Sequence, residues 1–368
     1  MRVLAVNAGS SSVKLRTLDE DDELVASADL PVEHGEIHVG AVRGALSEML
    51  APDAVGHRIV HGGERFSGPV RLDADVEAAL RELTDLAPLH QPKSLAALAA
   101  VSGALPDLPT VACFDTAFHG TLPPAAATYA LPSTWRERFG LRRFGFHGLS
   151  HAYASRRAGE ILGRANLRVV TCHLGAGASL AAVRDGRSID TTMGFTPLEG
   201  LVMATRSGSV DPGLLLWLLE REVTTERELA AALEHESGLA GLAGTADMRE
   251  VLARAAASKP EAQLALDVYV HRLRTSIGAM AAALGGLDAL VFTGGVGERS
   301  GAIRALSCEG LGFLGVELDP GRNREASGDA RIGRSDSPVA LLVIEAREDI
   351  EIAAEVRQVL SGKEREEG

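Results

Sequence analysis

The chain has 368 residues, 46% hydrophobic and only 4% aromatic, a globular composition long enough that two packed domains are expected rather than one. Its formal net charge of -13 argues against broad contact with a nucleic-acid backbone, so the cations that a phosphate ligand requires must be concentrated locally. Cys113, Cys172 and Cys308 stand far apart without metal-type spacing, no charged leader precedes a long apolar core, and no apolar run reaches the roughly 18 to 20 residues of a membrane span; a soluble cytoplasmic protein is expected.

From the N-terminus, the pattern predicts a strand over residues 3–6, a break at Asn7 with a small-residue turn, and a second strand around Lys14. The acidic run DEDDE, residues 19–23, reads as a solvated turn between two strands. Helical periodicity follows over 74–86 and 93–105, then a strand over 111–114, a helix over 152–162 and a strand over 169–172. Further helices are expected over 213–222, 225–234 and 263–284, with buried strands over 290–293 and 339–344 and a frayed tail at EREEG. β-branched runs alternating with Ala- and Leu-rich helical segments indicate an α/β protein whose sheets are covered by helices.

A pseudo-repeat runs through this order. VLAVNAGSSSVKL (3–15) and VVTCHLGAGASLA (169–181) each read as a strand, one polar residue, a Gly-containing small-residue turn and a returning strand. The second copy leads into RDGRSI, where Asp185-Gly186 is a strong hairpin signal. One such turn alone is an ordinary tight hairpin. Two copies suggest two similar domains, with backbone N–H groups that can approach an anion from both sides. A third cluster, FTGGVGERS (292–300), follows a buried-strand pattern, the usual setting for nucleotide contact at a helix N-terminus. It lacks the terminal Gly-Lys-Ser/Thr of a P-loop, and the first turn, with serines and a strand after Gly9, does not fit a dinucleotide fingerprint.

Taken in order, NAGSSSVK, GHRIVHGGERF, LAPLH, ACFDTAFH, RRFGFHGLSH, TCHLGAGAS, DTTMGFTPLEGL, TRSG, SGLAGL, FTGGVGE and the end of VIEAREDIEIA resemble the acetate kinase family, from Val3 to about Val356. The resemblance implies a fold of two similar ribonuclease H-like (actin-like ATPase) domains, each a mixed β-sheet flanked by helices, with an interdomain cleft. It implies a first domain over 1–148 joined by a C-terminal helix over 352–368, and a second over 149–351 that binds nucleotide and forms a homodimer. The implied activity is reversible transfer of the ATP γ-phosphoryl group to acetate, by direct in-line attack with magnesium, or manganese in its place, giving acetyl phosphate and ADP. No nucleic acid or membrane partner is implied.

Transfer between two anions makes catalysis chiefly positioning and charge neutralisation. The resemblance puts Arg58 on the substrate carboxylate, Arg206 on the transferring phosphoryl group and His147 on its equatorial oxygens. Taken alone, either arginine reads first as a salt-bridge residue; inside these glycine-flanked motifs that reading ranks second. Asp115 matches the family's essential aspartate. Because a carboxylate substrate is already ionised near neutral pH, Asp115 is expected to orient Arg58 or water around magnesium rather than to move a proton. Val60, Leu89, Phe146 and Pro197 match an apolar pocket for a short acyl chain, which favours acetate over propionate or butyrate by only about 1 to 3 kcal/mol per methylene.

For ATP, the resemblance implies Ser10, Ser12 and Lys14 in the first turn and His173, Leu174, Gly175, Ala176 and Gly177 in the second. It adds Asp247, Met248 and Arg249, and Gly295, Val296, Gly297, Glu298 and Arg299. Thr245 and Asp247 read first as a helix cap. Asn7 and Glu348 are the implied metal partners, Glu348 reading equally as an exposed acid at a helix start. HGLSH lacks a third ligand for zinc, and His151 reads as a satisfied helix-start residue.

Several positions depart from the family pattern. Ala176 replaces the usual Asn, Ser209 an Asp after TRSG, and Arg299 an Asn; Gln91 and Ser94 stand where asparagines are common, and Gly120 where Gln is usual. Ala346-Arg347-Glu348-Asp349 keeps acidity only at its last two positions, and the stretch from 18 to 56 is short. Arg58, Asp115, His147 and Arg206 are all retained, which favours an enzyme over a catalytically weak nucleotide-binding paralogue.

Overall fold

The structure, a computed structural model, describes residues 1–9, 12–31, 38–86 and 91–362. It divides into two compact units, one of Met1–Gly120, Phe146–Tyr153 and Arg347–Gly368, the other of Thr121–Gly145 and Ala154–Ala346.

The first unit carries a six-stranded sheet in the order β3-β2-β1-β4-β6-β5, from β1 (Val3–Ala8), β2 (Ser12–Leu18), β3 (Leu24–Pro31), β4 (Ala54–Ile59), β5 (Val70–Arg71) and β6 (Thr110–Phe114). β1, β2 and β3 form an antiparallel meander; β4 lies parallel to β1, and β6 parallel to β4. The second unit repeats this plan in the order β11-β12-β10-β7-β8-β9, from β7 (Arg168–Leu174), β8 (Ala178–Arg184), β9 (Arg187–Thr191), β10 (Ala289–Thr293), β11 (Ala330–Arg331) and β12 (Ala340–Val343). Here β7, β8 and β9 are the meander, with β10 parallel to β7 and β12 parallel to β10. The expected pair of similar mixed sheets is therefore present, and the pseudo-repeat marks the first hairpin of each. DEDDE joins β2 to β3, as its solvated character predicts. Asp185 and Gly186, with φ of 53° and 76°, form the tight turn between β8 and β9 that their residue types favour.

Strand periodicity sorts the first sheet's side chains between two cores. On one face Val3, Ala5, Leu18, Ala54, Val111 and Cys113 pack against Ile352, Ala353 and Val356 of the C-terminal helix Glu348–Ser361. On the other, Leu4, Val6, Ala8, Val13, Leu15 and Val55 pack against Val42 and against Ala97, Ala100 and Val101 of the helix Gln91–Ala104. The C-terminal helix thus covers the early part of β1, β4 and β6 and brings its own first turn to their carboxyl ends.

Three helix expectations need revision. The segment over 74–86 is α-helical only at Ala74–Glu82 and tightens to a 3-10 turn at Leu83–Leu86. The helix expected from 152 begins at Gly148, which a propensity argument disfavours but a close backbone contact requires. The helix over 225–234 has the capping box that Thr225 and Glu228 encode, but runs regularly only over Glu226–Ala231 before widening to a π-helical turn at Ala232–Glu236.

Candidate active site

In the first unit the candidate residues meet at the carboxyl ends of the parallel strands, the usual ligand position in such sheets. Asn7 is the penultimate residue of β1, opposite Lys14 of β2, Arg58 lies one residue beyond the Val6–His57 pairing, and Asp115 directly follows β6. Matching register puts Lys14, Asn7 and Arg58 in one row on one face, with Lys14 exposed.

Arg58 organises this row. Its Nε donates to both oxygens of Asp115, at 3.0 and 3.1 Å, and its Nη2 donates to Asp115 Oδ2. Its Nη1 donates to Asn7 Oδ1 at 3.2 Å and to the Ala8 carbonyl at 3.3 Å. Asn7 donates in turn to Glu348 Oε2, which lies 4.0 Å from Arg58 Nε. Burial works against the charge of Arg58, but the neighbouring Asp115 and Glu348 carboxylates outweigh it and hold its pKa above the ordinary value. Burial pushes the Asp115 carboxyl up while Arg58 pulls against it. Glu348 opens the C-terminal helix with Asp349 and Glu351 in the same turn, where acidic side chains complement the helix dipole.

His147 sits immediately before the helix Gly148–Leu162, with a left-handed φ of 57° that a non-glycine residue rarely adopts. Its carbonyl accepts from His151 N–H at 3.0 Å, and its backbone N–H bonds the Asp115 carboxyl. Gly148 N–H donates to the Asp115 carbonyl at 2.9 Å, so FDTAFH and FGFHG are tied together on both sides. Val60 and Phe146 are buried, and Phe146 meets the His61 ring edge-on at 5.5 Å. His151 is buried in the first turn of its helix. Ser10 and Leu89 lie outside the described residues. The departure at Gln91 is accommodated by burial: its amide accepts from His61 N–H and donates to the carbonyls of His61 and Leu80, each at 3.3 Å.

The second unit gathers the nucleotide candidates. β7 and β10 are neighbours with Thr293 opposite His173, so the turn at Gly175–Gly177 and the helix Gly294–Arg299 start side by side. Gly175 N–H donates to the Gly177 carbonyl at 2.9 Å, the counterpart of the 2.8 Å bond from Gly9 to Ser12 in the first unit. The Ala176 carbonyl accepts from Ala204 at 3.1 Å, which anchors this turn two residues before Arg206. Gly295 and Arg299 are exposed and Gly297 is buried. Glu298 Oε1 accepts from the backbone of both Gly294 and Ala346 at 2.9 Å, so this side chain staples the glycine turn to the end of the sheet. Asp247 caps the helix Met248–Ala256, as its residue type predicts; Met248 is buried, and Arg249 extends into solvent on an ion pair with Asp247. That arginine holds the Asp247 carboxyl down to about 2. Ser209, in place of Asp, accepts from Gly200 N–H at 3.0 Å.

Sequence reading misses the groups that hold the loop of the candidate Pro197. Glu199 accepts from Tyr129 at 2.6 Å and Arg143 at 2.7 Å, while Arg143 also donates to the carbonyls of Thr191, Thr192 and Met193. This clamp braces the loop that carries the buried Pro197. Its members are 56 and 70 residues apart, and no local spacing announces them. Among the described residues, no three His, Cys, Asp or Glu side chains form a metal-holding group.

The family model described as the Acetokinase family matches residues 41–354. The chain is 44% identical to an acetate kinase of a Nostoc species over 98% of its own length and 100% of the relative's. It superposes on the crystal structure of Porphyromonas gingivalis acetate kinase with a TM-score of 0.88 at 36% identity, covering 98% of this chain and 99% of that one. For a propionate kinase from Francisella tularensis the TM-score is 0.89 at 34% identity, with 97% and 99% covered.

Proposed function

Because the chain belongs to the acetokinase family, we propose that it transfers the γ-phosphoryl group of ATP to the carboxylate of acetate, reversibly, giving acetyl phosphate and ADP. The observation that carries this reading is the guanidinium of Arg58, fixed on Asp115 and Asn7 at the carboxyl ends of β1, β4 and β6 beside the buried Val60 and Phe146. A nucleotide sensor has no need of a cation held in that setting.

The acetate oxygen attacks the γ-phosphorus while the bond to the ADP oxygen breaks. No general base is needed, since the attacking carboxylate is ionised. With the Nε edge of Arg58 occupied by Asp115, a substrate carboxylate meets the guanidinium at its outer Nη end, and Asp115 orients that cation rather than carrying a proton. His147 and Arg206 take the charge on the transferring phosphoryl oxygens. Ser12, Lys14 and the backbone at Gly175 and Gly177 take the remaining phosphates, Ser10 joining them by family resemblance, while the adenosine side falls to 247–249 and 295–299. The Asn7 amide nitrogen donates to Glu348 Oε2 while Asn7 Oδ1 is turned to Arg58; Glu348 would hold magnesium, or manganese, with Asn7 joining through water or with its amide turned, and water and phosphate completing the shell. Bound there, the ion would neutralise phosphate charge.

A coupled assay that traps acyl phosphate as hydroxamate, run with acetate, propionate and butyrate, tests this reading. Acetate is expected to give the highest kcat/KM. No acyl phosphate from any of the three would sink the kinase assignment, and preference for propionate would reassign the pocket.

We propose a homodimer formed through the second unit. The helix Pro212–Glu220 buries none of its side chains, and Leu214, Leu216 and Trp217 are 48%, 59% and 48% exposed, an apolar face suited to a second copy. Light scattering at micromolar protein should give twice the chain mass, and Leu216→Asp should halve it; a wild-type monomer would refute the dimer. Three buried thiols and the absence of a described helix able to cross a membrane fit the cytoplasm.

A further inference from the structure

SGLAGL and the π-helical turn before it have no part in the mechanism above, yet both are built around Arg206. Ser207 N–H donates to the Leu233 carbonyl at 3.1 Å, the Thr205 hydroxyl to the Glu234 carbonyl at 2.8 Å, and Ser237 N–H to the Thr205 carbonyl at 2.9 Å. Leu239 and Ala240 donate to the carbonyls of Met203 and Ala204 at 3.0 and 2.9 Å. Gly238, with a φ of 62°, lets the chains touch: a Cβ there would lie 2.3 Å from the Met203 carbonyl and 2.7 Å from that of Arg206.

This bracket presents one carboxylate. Arg206 Nε donates to Glu234 Oε2 at 3.2 Å, with both side chains only 18% exposed. A regular helix continued past Ala231 would rotate Glu234 differently; the wider π turn sets its direction, a device common at functional sites. Arg206 is thereby held at its Nε by one carboxylate oxygen, a single-bond counterpart of the Nε and Nη2 grip of Asp115 on Arg58, while its Nη1 reaches the Pro197 carbonyl at 3.5 Å and the Met203 sulfur at 3.9 Å.

We infer that Glu234 is the positioning residue of Arg206, fixing the guanidinium in the orientation that phosphoryl transfer needs. The inference rests on the reading that Arg206 faces the transferring phosphoryl group. A long arginine side chain has many rotamers, and fixing it before reaction removes an ordering cost from the transition state. The carboxylate does so at the expense of some local positive charge, so its benefit appears in kcat rather than in ground-state binding.

The test is a cycle of E234A, R206A and the double variant, with E234Q added, measuring kcat and KM for ATP and acetate. E234A should lower kcat by about 10- to 100-fold with both KM values within about threefold. E234Q, which keeps an accepting oxygen, should restore most of that loss. In the R206A background, E234A should change kcat by less than about twofold, because a residue that acts through another has nothing left to position. Full kcat in E234A beside an impaired R206A would overturn the inference and leave Arg206 in its role. So would an E234A loss that persists without Arg206, the mark of a purely structural pair. Should E234A not fold, E234Q carries the test: kcat reduced as far as in R206A would show that the accepting oxygen is not what matters, again overturning it. Undiminished kcat in R206A would instead remove the reading of Arg206 itself.

Discussion

Arg58→Ala should lower kcat/KM for acetyl phosphate formation by roughly a hundred- to a thousand-fold, the range seen when a preorganised charge partner is removed. Arg58→Lys should recover only part of this, because a point charge cannot hold Asp115 through two donors and Asn7 through a third. The alanine variant should also lose stability, by about 3 to 5 kcal/mol, since Asp115 is 1% exposed and would be left without its ion-pair partner. That loss has a pH signature. Burial already pushes the Asp115 carboxyl up, and without the opposing cation it rises further. A carboxyl with a raised folded pKa keeps a proton that the unfolded chain releases, so stability falls as pH rises above the unfolded value near 4. Thermal melts of variant and wild type should therefore diverge more at pH 7.5 than at pH 4.5. Parallel curves would mean that Asp115 is not held by Arg58.

Gly148→Ala should be nearly as damaging without touching any charged group. A Cβ at this position would lie 2.2 Å from the Asp115 carbonyl oxygen and 2.9 Å from Phe118 Cβ, and backbone cannot move aside as a flexible side-chain end can. The start of the helix must back away, breaking the Gly148 to Asp115 bond and carrying His147 with it. Displacements near an ångström cost about a hundred-fold in well-oriented sites, so kcat should fall by that order with about 1 to 3 kcal/mol of stability. Gly103→Ala is the control: nothing lies within 4 Å of its Cβ in the helix Gln91–Ala104, so activity should be unchanged and the fold slightly more stable. Equal kcat in the Gly148 and Gly103 variants would show that this contact does not position the site.

Local features of the chain are the ones legible in its sequence. The two hairpins are readable because alternating apolar residues flank a small-residue turn, and Asp185-Gly186 is readable because few pairs accept positive φ at both positions. Thr225 and Glu228 announce a helix start through a reciprocal cap. Contacts made by folding are not readable. Arg58 and Asp115 are 57 residues apart and meet only because β4 and β6 are parallel neighbours; motif resemblance names both residues but no spacing pairs them. The helix starts at Gly148 rather than 152 because tertiary contact with Asp115 overrides glycine's poor helix propensity. Glu234 sits where periodicity predicts an ordinary helix, and only the π turn reveals its direction.

The C-terminal helix has a consequence for synthesis on the ribosome. The face of β1, β4 and β6 that bears Val3, Ala5, Ala54, Val111 and Cys113 is closed by Ile352, Ala353 and Val356. Residues 3–113 therefore have no complete core until residues 352–356 have emerged, which at elongation rates of about 5 to 20 residues per second is tens of seconds later. Residues 154–346, contiguous and furnished with their own sheet, are finished earlier. The usual order, N-terminal part first, is reversed: the later-made unit can complete itself while the earlier one waits for the helix Glu348–Ser361.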